Sequence, residues 1–187
     1  WVLYSNGQLF RVDTTTLGCT KSAWMTQAGL SQFGMGFSSD AVGGSTDTLF
    51  IAGGSAPTQP MSQLAKLPLA SFQAQPIGSV QGWPELTGTG NAELWGFFPG
   101  TSSARIAKLD KTTGMALTTY PLAITGEPTA WAFAAWGGDF WVFLKKGLEN
   151  STTVYQYNSA GQLVSMKAVP GRNIVGAGVS TCAPVIL

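Results

Sequence analysis

"LDKTTGMALTTYP" (109–121) decides the reading of this chain, because two variants of it recur: "VDTTTLGCTKSAW" at 12–24 and "YNSAGQLVSMKAVP" at 157–170. In each, an apolar segment ends on Asp or Asn, a short polar turn containing Gly follows, and a second apolar segment begins. The side chains of Asp110, Asn158 and Asp13 are short enough to hydrogen-bond the turn backbone, and Gly114, Gly161 and Gly18 can supply positive φ. The motif therefore reads as a hairpin turn between antiparallel strands, with the three polar side chains capping the turn.

The repeat extends outward from this turn. "ELWGFFP" (93–99), "RIAKLD" (105–110) and "MALTTYPL" (115–122) return in the same order as "DFWVFL" (139–144), "TVYQYN" (153–158) and "QLVSMKAVP" (162–170). Residues 48–80 hold a degenerate copy, and "WVLYS", "QLFRVD" and "CTKSAW" supply another at the N-terminus. Segments this short, rich in aromatic and β-branched residues, favour strands over helices.

Three of the four series are preceded by a segment of small residues: "FGMGFSSDA" (33–41), "ELTGTGNA" (85–92) and "TAWAFAAWGG" (129–138). The first series has none, and a matching segment, "NIVGAGVSTCAP", stands at 173–184. The expected architecture is all-β: a single four-bladed β-propeller over residues 1–187, its first blade completed by the C-terminal strand. The blades are 1–25 plus 173–187, 33–80, 85–122 and 129–170. Their spacing matches the ~40–50 residues of a four-stranded propeller blade, and Gly and Ala in the innermost segments suit a crowded axis.

The pattern resembles a four-bladed β-propeller of the kind found in hemopexin-like domains, although it lacks their repeat signature. It also resembles the small repeat propellers of secreted proteins and lipoproteins of Gram-negative bacteria, in which a D-x-x-T-G turn recurs between apolar strands. That likeness implies export and a recognition role, with no particular ligand.

Composition agrees with an extracellular, periplasmic or cell-surface location. Charged residues make up 10% of the chain, against about 25% in average soluble proteins, and Gly reaches 24 residues. The ten Lys and Arg are scattered and the formal charge is +1, so no basic face is expected for nucleic acid. Apolar runs such as "WAFAAW" (131–136) and "FWVFL" (140–144) fall well short of the ~20 residues of a membrane helix. Cys19 and Cys182 are expected either to form a disulfide, given this composition and the convergence of the termini, or to be two buried thiols. Hemopexin-like domains join their first and last blades by such a bridge.

The chain has no His, which excludes Ser-His-Asp and Cys-His nucleophile pairs and most zinc sites. No phosphate-binding loop is present. Glu85, at the start of an inner segment, is the one candidate for a channel cation such as calcium; a solvated place at the strand mouth is its alternative. Trp95, Trp131, Trp136 and Trp141 read as blade packing. Trp83, in the connection "QGWPE" (81–85), is the aromatic in a solvent-facing connection, suited to stacking on a ligand, with a place tucked under a loop as its alternative. The expected function is non-catalytic recognition or adhesion, binding a glycan or surface protein through Trp83, Glu127, Arg172 and Asn173 without a cofactor. The loops at 53–63 and 145–153 offer a second surface. The alternatives are a hydrolase or lyase using channel carboxylates and a purely structural surface domain.

Overall fold

A computed structural model describes residues 1–27, 29–56 and 60–184. Among them are fifteen strands and no helix, arranged as four antiparallel sheets in a ring: a four-bladed β-propeller. Blade one holds β1 (Val2–Leu3), β2 (Leu9–Val12) and β3 (Cys19–Lys21). Blade two holds β4 (Gln32–Ser39), β5 (Asp47–Gly54), β6 (Met61–Lys66) and β7 (Gln75–Gln81). Blade three holds β8 (Glu85–Gly88), β9 (Leu94–Phe98), β10 (Arg105–Leu109) and β11 (Ala116–Pro121). Blade four holds β12 (Pro128–Trp136), β13 (Asp139–Lys146), β14 (Thr152–Tyr157) and β15 (Leu163–Val169).

The hairpin turns form as the repeat predicts. Asp110 Oδ1 accepts from the amides of Thr112 and Thr113 at 2.7 and 2.9 Å, and Asp13 Oδ1 accepts from Thr15 and Thr16 at 2.9 and 2.8 Å. Both carboxyls are held below the usual carboxylate range, Asp110 first by the Thr112 hydroxyl, which donates at 2.6 Å, and then by the Thr112 amide, and Asp13 first by the Thr16 amide and then by that of Thr15. Asn158 Oδ1 caps its turn through the amides of Ala160 and Gln162. One detail differs from expectation. Gly114 and Gly161 have positive φ, but in the first turn Leu17 takes that conformation, at φ 59°, and Gly18 does not. The cause is registration on Asp13: Leu17 donates to the Asp13 carbonyl just as Gly114 donates to that of Asp110.

Apolar cores fill the spaces between successive blades. Leu9, Trp24, Phe33 and Ile51 lie between blades one and two; Phe50, Leu64, Leu86 and Phe98 between two and three; Phe97, Ile106, Phe133 and Val142 between three and four. Among the described residues no comparable cluster joins blade four to blade one. The inner strands β4, β8 and β12 approach so closely that small residues are required. A Cβ on Gly36 would stand 2.8 Å from Thr87 Cα, and one on Gly88 would stand 2.7 Å from Ser38 Cα.

Two expectations are corrected here. The segment 173–184 does not form a strand, and blade one has three strands. The segment does run along the axis where a fourth strand would lie. Residues 173–178 and β1 line the same cavity of about 590 Å³, so a gap takes the place of a hydrogen-bonded ladder. Gly176 and Gly178 supply no side chains to pack a pleat there.

The disulfide is absent as well, and Cys19 and Cys182 are both free and exposed. Cys19 lies on β3, the outermost strand of its blade, whereas Cys182 follows the axial segment. Two strand spacings of ~4.8 Å already exceed the ~7 Å Cα limit for a bridge. Cys182 instead lies on the back face, where Thr181 bonds Asp47 of blade two and Pro184 bonds Gly137 of blade four.

Gly36→Ala is expected to destabilise the fold by ~1–3 kcal/mol. Gly176→Ala, where no atom lies within 4 Å of the new Cβ, is expected to be neutral. Urea denaturation of the two variants checks the contrast.

Candidate functional site

Strand direction defines two faces. On the front face the inner strands begin, at Gln32, Glu85 and Pro128; on the back face they end, at Ser39, Gly88 and Trp136. Trp83, Glu127, Arg172 and Asn173 all fall in connections on the front face. Trp83 is partly buried and the other three are exposed. The Glu127 carbonyl accepts from the Gly147 amide and the Arg172 carbonyl from the Thr152 amide, both at 2.8 Å, so main-chain bonds fix these two loops. Of the four residues, only Asn173 lines either of the two cavities described below. The second loop surface also lies on the front face; its residues 57–59 are outside those described, and Leu148 on the other loop is fully exposed.

The first cavity lies along the axis. Its walls come from β1, β4 and the segment 173–178, and they are largely apolar: Trp1, Phe33, Met35, Ile174 and Val175. Glu85 is the one carboxylate among the lining residues. It begins β8 and packs over Gly34, where a Cβ would stand 3.2 Å from Glu85 Oε2. Part of the side chain still touches the cavity, but removal from bulk water pushes its pKa from 4.5 up to about 8, with the Met35 amide opposing the shift. Calcium takes six to eight oxygen ligands. No group of three or more His, Cys, Asp or Glu that could hold a metal stands among the described residues.

The second cavity opens on the back face between blades three and four, with about 190 Å³ of space. Trp95 and Phe140, buried with ring centroids 4.7 Å apart, form its apolar floor. Trp136 is the last residue of β12 and is 54% exposed at the lip. The following pair Gly137-Gly138 turns the chain into β13, and the Trp136 carbonyl accepts from Trp141 Nε1 at 3.1 Å. The segment 180–184 forms a third wall, held by Gly137 N donating to the Pro184 carbonyl at 3.0 Å and Thr181 Oγ1 donating to Asp47 Oδ2 at 2.7 Å.

Polar groups converge on this cleft. Glu93 is fixed by Lys108 Nζ at 2.6 Å and by Trp95 Nε1 at 3.0 Å, one on each carboxylate oxygen. Asp139 Oδ2 accepts from Gln156 Nε2 at 2.6 Å. Asn91 and Ser159 are exposed at the rim. Thr89 Oγ1 is buried and, among the described residues, has no hydrogen-bond partner, an arrangement that costs ~1–3 kcal/mol when left uncompensated. The sequence pattern placed Trp136 in blade packing; the signal that marks it is its position, a Trp immediately before Gly-Gly at a strand end and therefore on the rim.

The fold and these two cavities define a four-bladed β-propeller with an axial cavity and a back-face cleft. No family model and no curated protein matches the sequence. Among solved structures the chain is similar to the hydrazine synthase of Kuenenia stuttgartiensis, with 13% identity and a TM-score of 0.51 over 88% of this chain and 44% of that one. The chain thus spans less than half the length of that protein, and the likeness is one of fold alone.

The raised pKa of Glu85 fixes a sign for stability. Below pH 4.5 the carboxyl is protonated in both folded and unfolded chains. Between 4.5 and about 8 the unfolded chain releases the proton while the folded chain keeps it, so the contribution to stability is lost as pH rises through that window and is constant above it. The loss is ~3–5 kcal/mol. Glu85→Gln is expected to remove it, so that the difference in Tm between wild type and variant shifts toward the variant from pH 5 to pH 9 in thermal melts.

Proposed function

We propose that this propeller is a non-catalytic recognition module of the cell surface or extracellular space, and that the back-face cleft between blades three and four takes one sugar unit of a glycan. The observation that carries this reading is the exposed Trp136 indole standing beside fixed carboxylates and a buried hydroxyl without a partner. A sugar ring presents C–H groups on its face and hydroxyls at its edge. An indole platform suits the face, and Glu93, Asp139, Asn91 and Thr89 suit the edge.

The size of the cleft favours a terminal or single residue. Pockets for drug-sized ligands occupy ~300–1,000 Å³, well above the 190 Å³ available here. Rigidity supports binding over catalysis. Both oxygens of Glu93 and one of Asp139 are already engaged by Lys108, Trp95 and Gln156, which orients them as acceptors. Glycoside hydrolysis along the axis would need a pair of carboxylates, and the axial cavity is lined by Glu85 alone of that type.

The test is a titration of intrinsic tryptophan fluorescence with a panel of mono- and oligosaccharides. A saturable change is expected in wild type and in Trp83→Ala, with affinity at least ~10-fold weaker in Trp136→Ala, the loss expected on removing a stacking aromatic. A response abolished by Trp83→Ala and kept by Trp136→Ala would move the site to the front face. Silence across the panel, with binding to a surface protein, would replace the glycan by a protein partner.

A further inference from the structure

The axial cavity stands apart from the back-face cleft and has a different chemistry. We propose that it binds a small organic cation, an ammonium group on an apolar body, with Glu85 as the countercharge and Trp1 and Phe33 as the aromatic wall. Three observations lead to this class of ligand. The cavity is roomy, at about 590 Å³, and most of its wall is aliphatic or aromatic, which favours an apolar body. It holds one carboxyl, positioned over the Cβ-free backbone of Gly34. That carboxyl has no basic side chain among the residues lining the cavity.

The missing partner is the central point. Glu85 makes no ion pair among the described residues, and the elements packed around it offer none. Strands β1, β4, β9 and β12 carry no ionisable side chain. Asp47 of β5 lies at the back-face end, near Thr181. Arg172 precedes the axial segment and is exposed. The main-chain nitrogen of Trp1 carries charge only where no residue precedes it.

A carboxyl in this position stays neutral near pH 7 because ionisation there is unfavourable, its pKa lying at about 8. An entering ammonium reverses that balance: the carboxyl gives its proton to solvent, and carboxylate and cation pair beside the apolar wall. Aromatic faces add a further attraction for cations that they do not offer to neutral isosteres. A single carboxylate falls far short of the oxygen ligands a calcium ion takes, but it matches one positive charge.

The probes are n-butylammonium chloride and butan-1-ol, measured by calorimetry at pH 6, 7 and 9 with wild type and Glu85→Gln. Proton competition makes butylammonium binding to wild type stronger by ~50–100-fold from pH 6 to pH 9. Butanol is expected to bind at least tenfold more weakly at pH 9, and Glu85→Gln to bind both probes weakly at every pH. Affinity independent of pH, or equal for the two probes, would overturn the proposal and leave a merely apolar cavity. A second readout does not depend on the variant. The carboxyl carbon of Glu85, followed by NMR in wild type, is expected to titrate at least one pH unit lower in saturating butylammonium; an unchanged midpoint would equally overturn it.

Discussion

The close approach of β4, β8 and β12 is the constraint on which the rest of the molecule depends. A four-bladed ring has little room at its axis, and here β4 and β8 meet backbone to backbone through Gly34, Gly36 and Gly88, while β12 presents Ala132, Ala134 and Ala135. Side-chain and main-chain hydrogen bonds then cross from blade to blade: Ala135 N donates to Thr87 Oγ1 at 3.2 Å, and Ser38 Oγ donates to the Glu93 carbonyl at 3.0 Å. With the inner strands locked, the sheets can diverge only outward, and Phe, Leu and Trp side chains fill the widening gaps. Two of the three apolar clusters, those between blades two and three and between three and four, lie outside these tight joints at the axis.

Blade one is built differently, and the axial cavity arises beside it. Blade one contributes a two-residue β1 in place of a full strand, and the segment 173–178 runs along the axis without joining a sheet. The space left between them is the axial cavity, which exposes Glu85 to an apolar chamber. Past that chamber the same segment reaches the back face, where Ser180 to Pro184 become a wall of the cleft beside Trp136. One irregular stretch of chain thus shapes two binding spaces of different character, one apolar with a lone carboxyl and one rimmed by fixed polar groups.

Most of the fold is legible in the sequence because turn chemistry and strand length are local properties. Asp13, Asp110 and Asn158 announce their hairpins, and the small residues ahead of three strand series announce the inner strands. What the pattern could not show was whether 173–184 would find a hydrogen-bonding edge, since that depends on the width of a gap set by the other three blades. The same limit affected the cysteines: Cys19 stands on the outer strand of blade one, whereas Cys182 lies in the segment that reaches the back face without joining a sheet. Site residues were harder still. Trp83 sits in a connection, where the sequence left a solvent-facing place and one tucked under a loop both open, and it is partly buried; Trp136 sits in a strand and looked buried, yet it projects at the rim. Glu85 was legible as an axial carboxylate, whereas the burial that raises its pKa is a property of the assembled cavity.

Hydrogen exchange resolved to single amides tests the central claim most directly, because it separates enclosure from hydrogen bonding. If the ring is held by its inner strands and merely spanned by the C-terminal segment, the amides of 86–88 and 130–135 exchange only on global unfolding. Those of 175–178, though at the axis, then exchange orders of magnitude faster. Protection of 175–178 equal to that of β8 would mean that a fourth strand completes blade one, contradicting this account of the axial cavity.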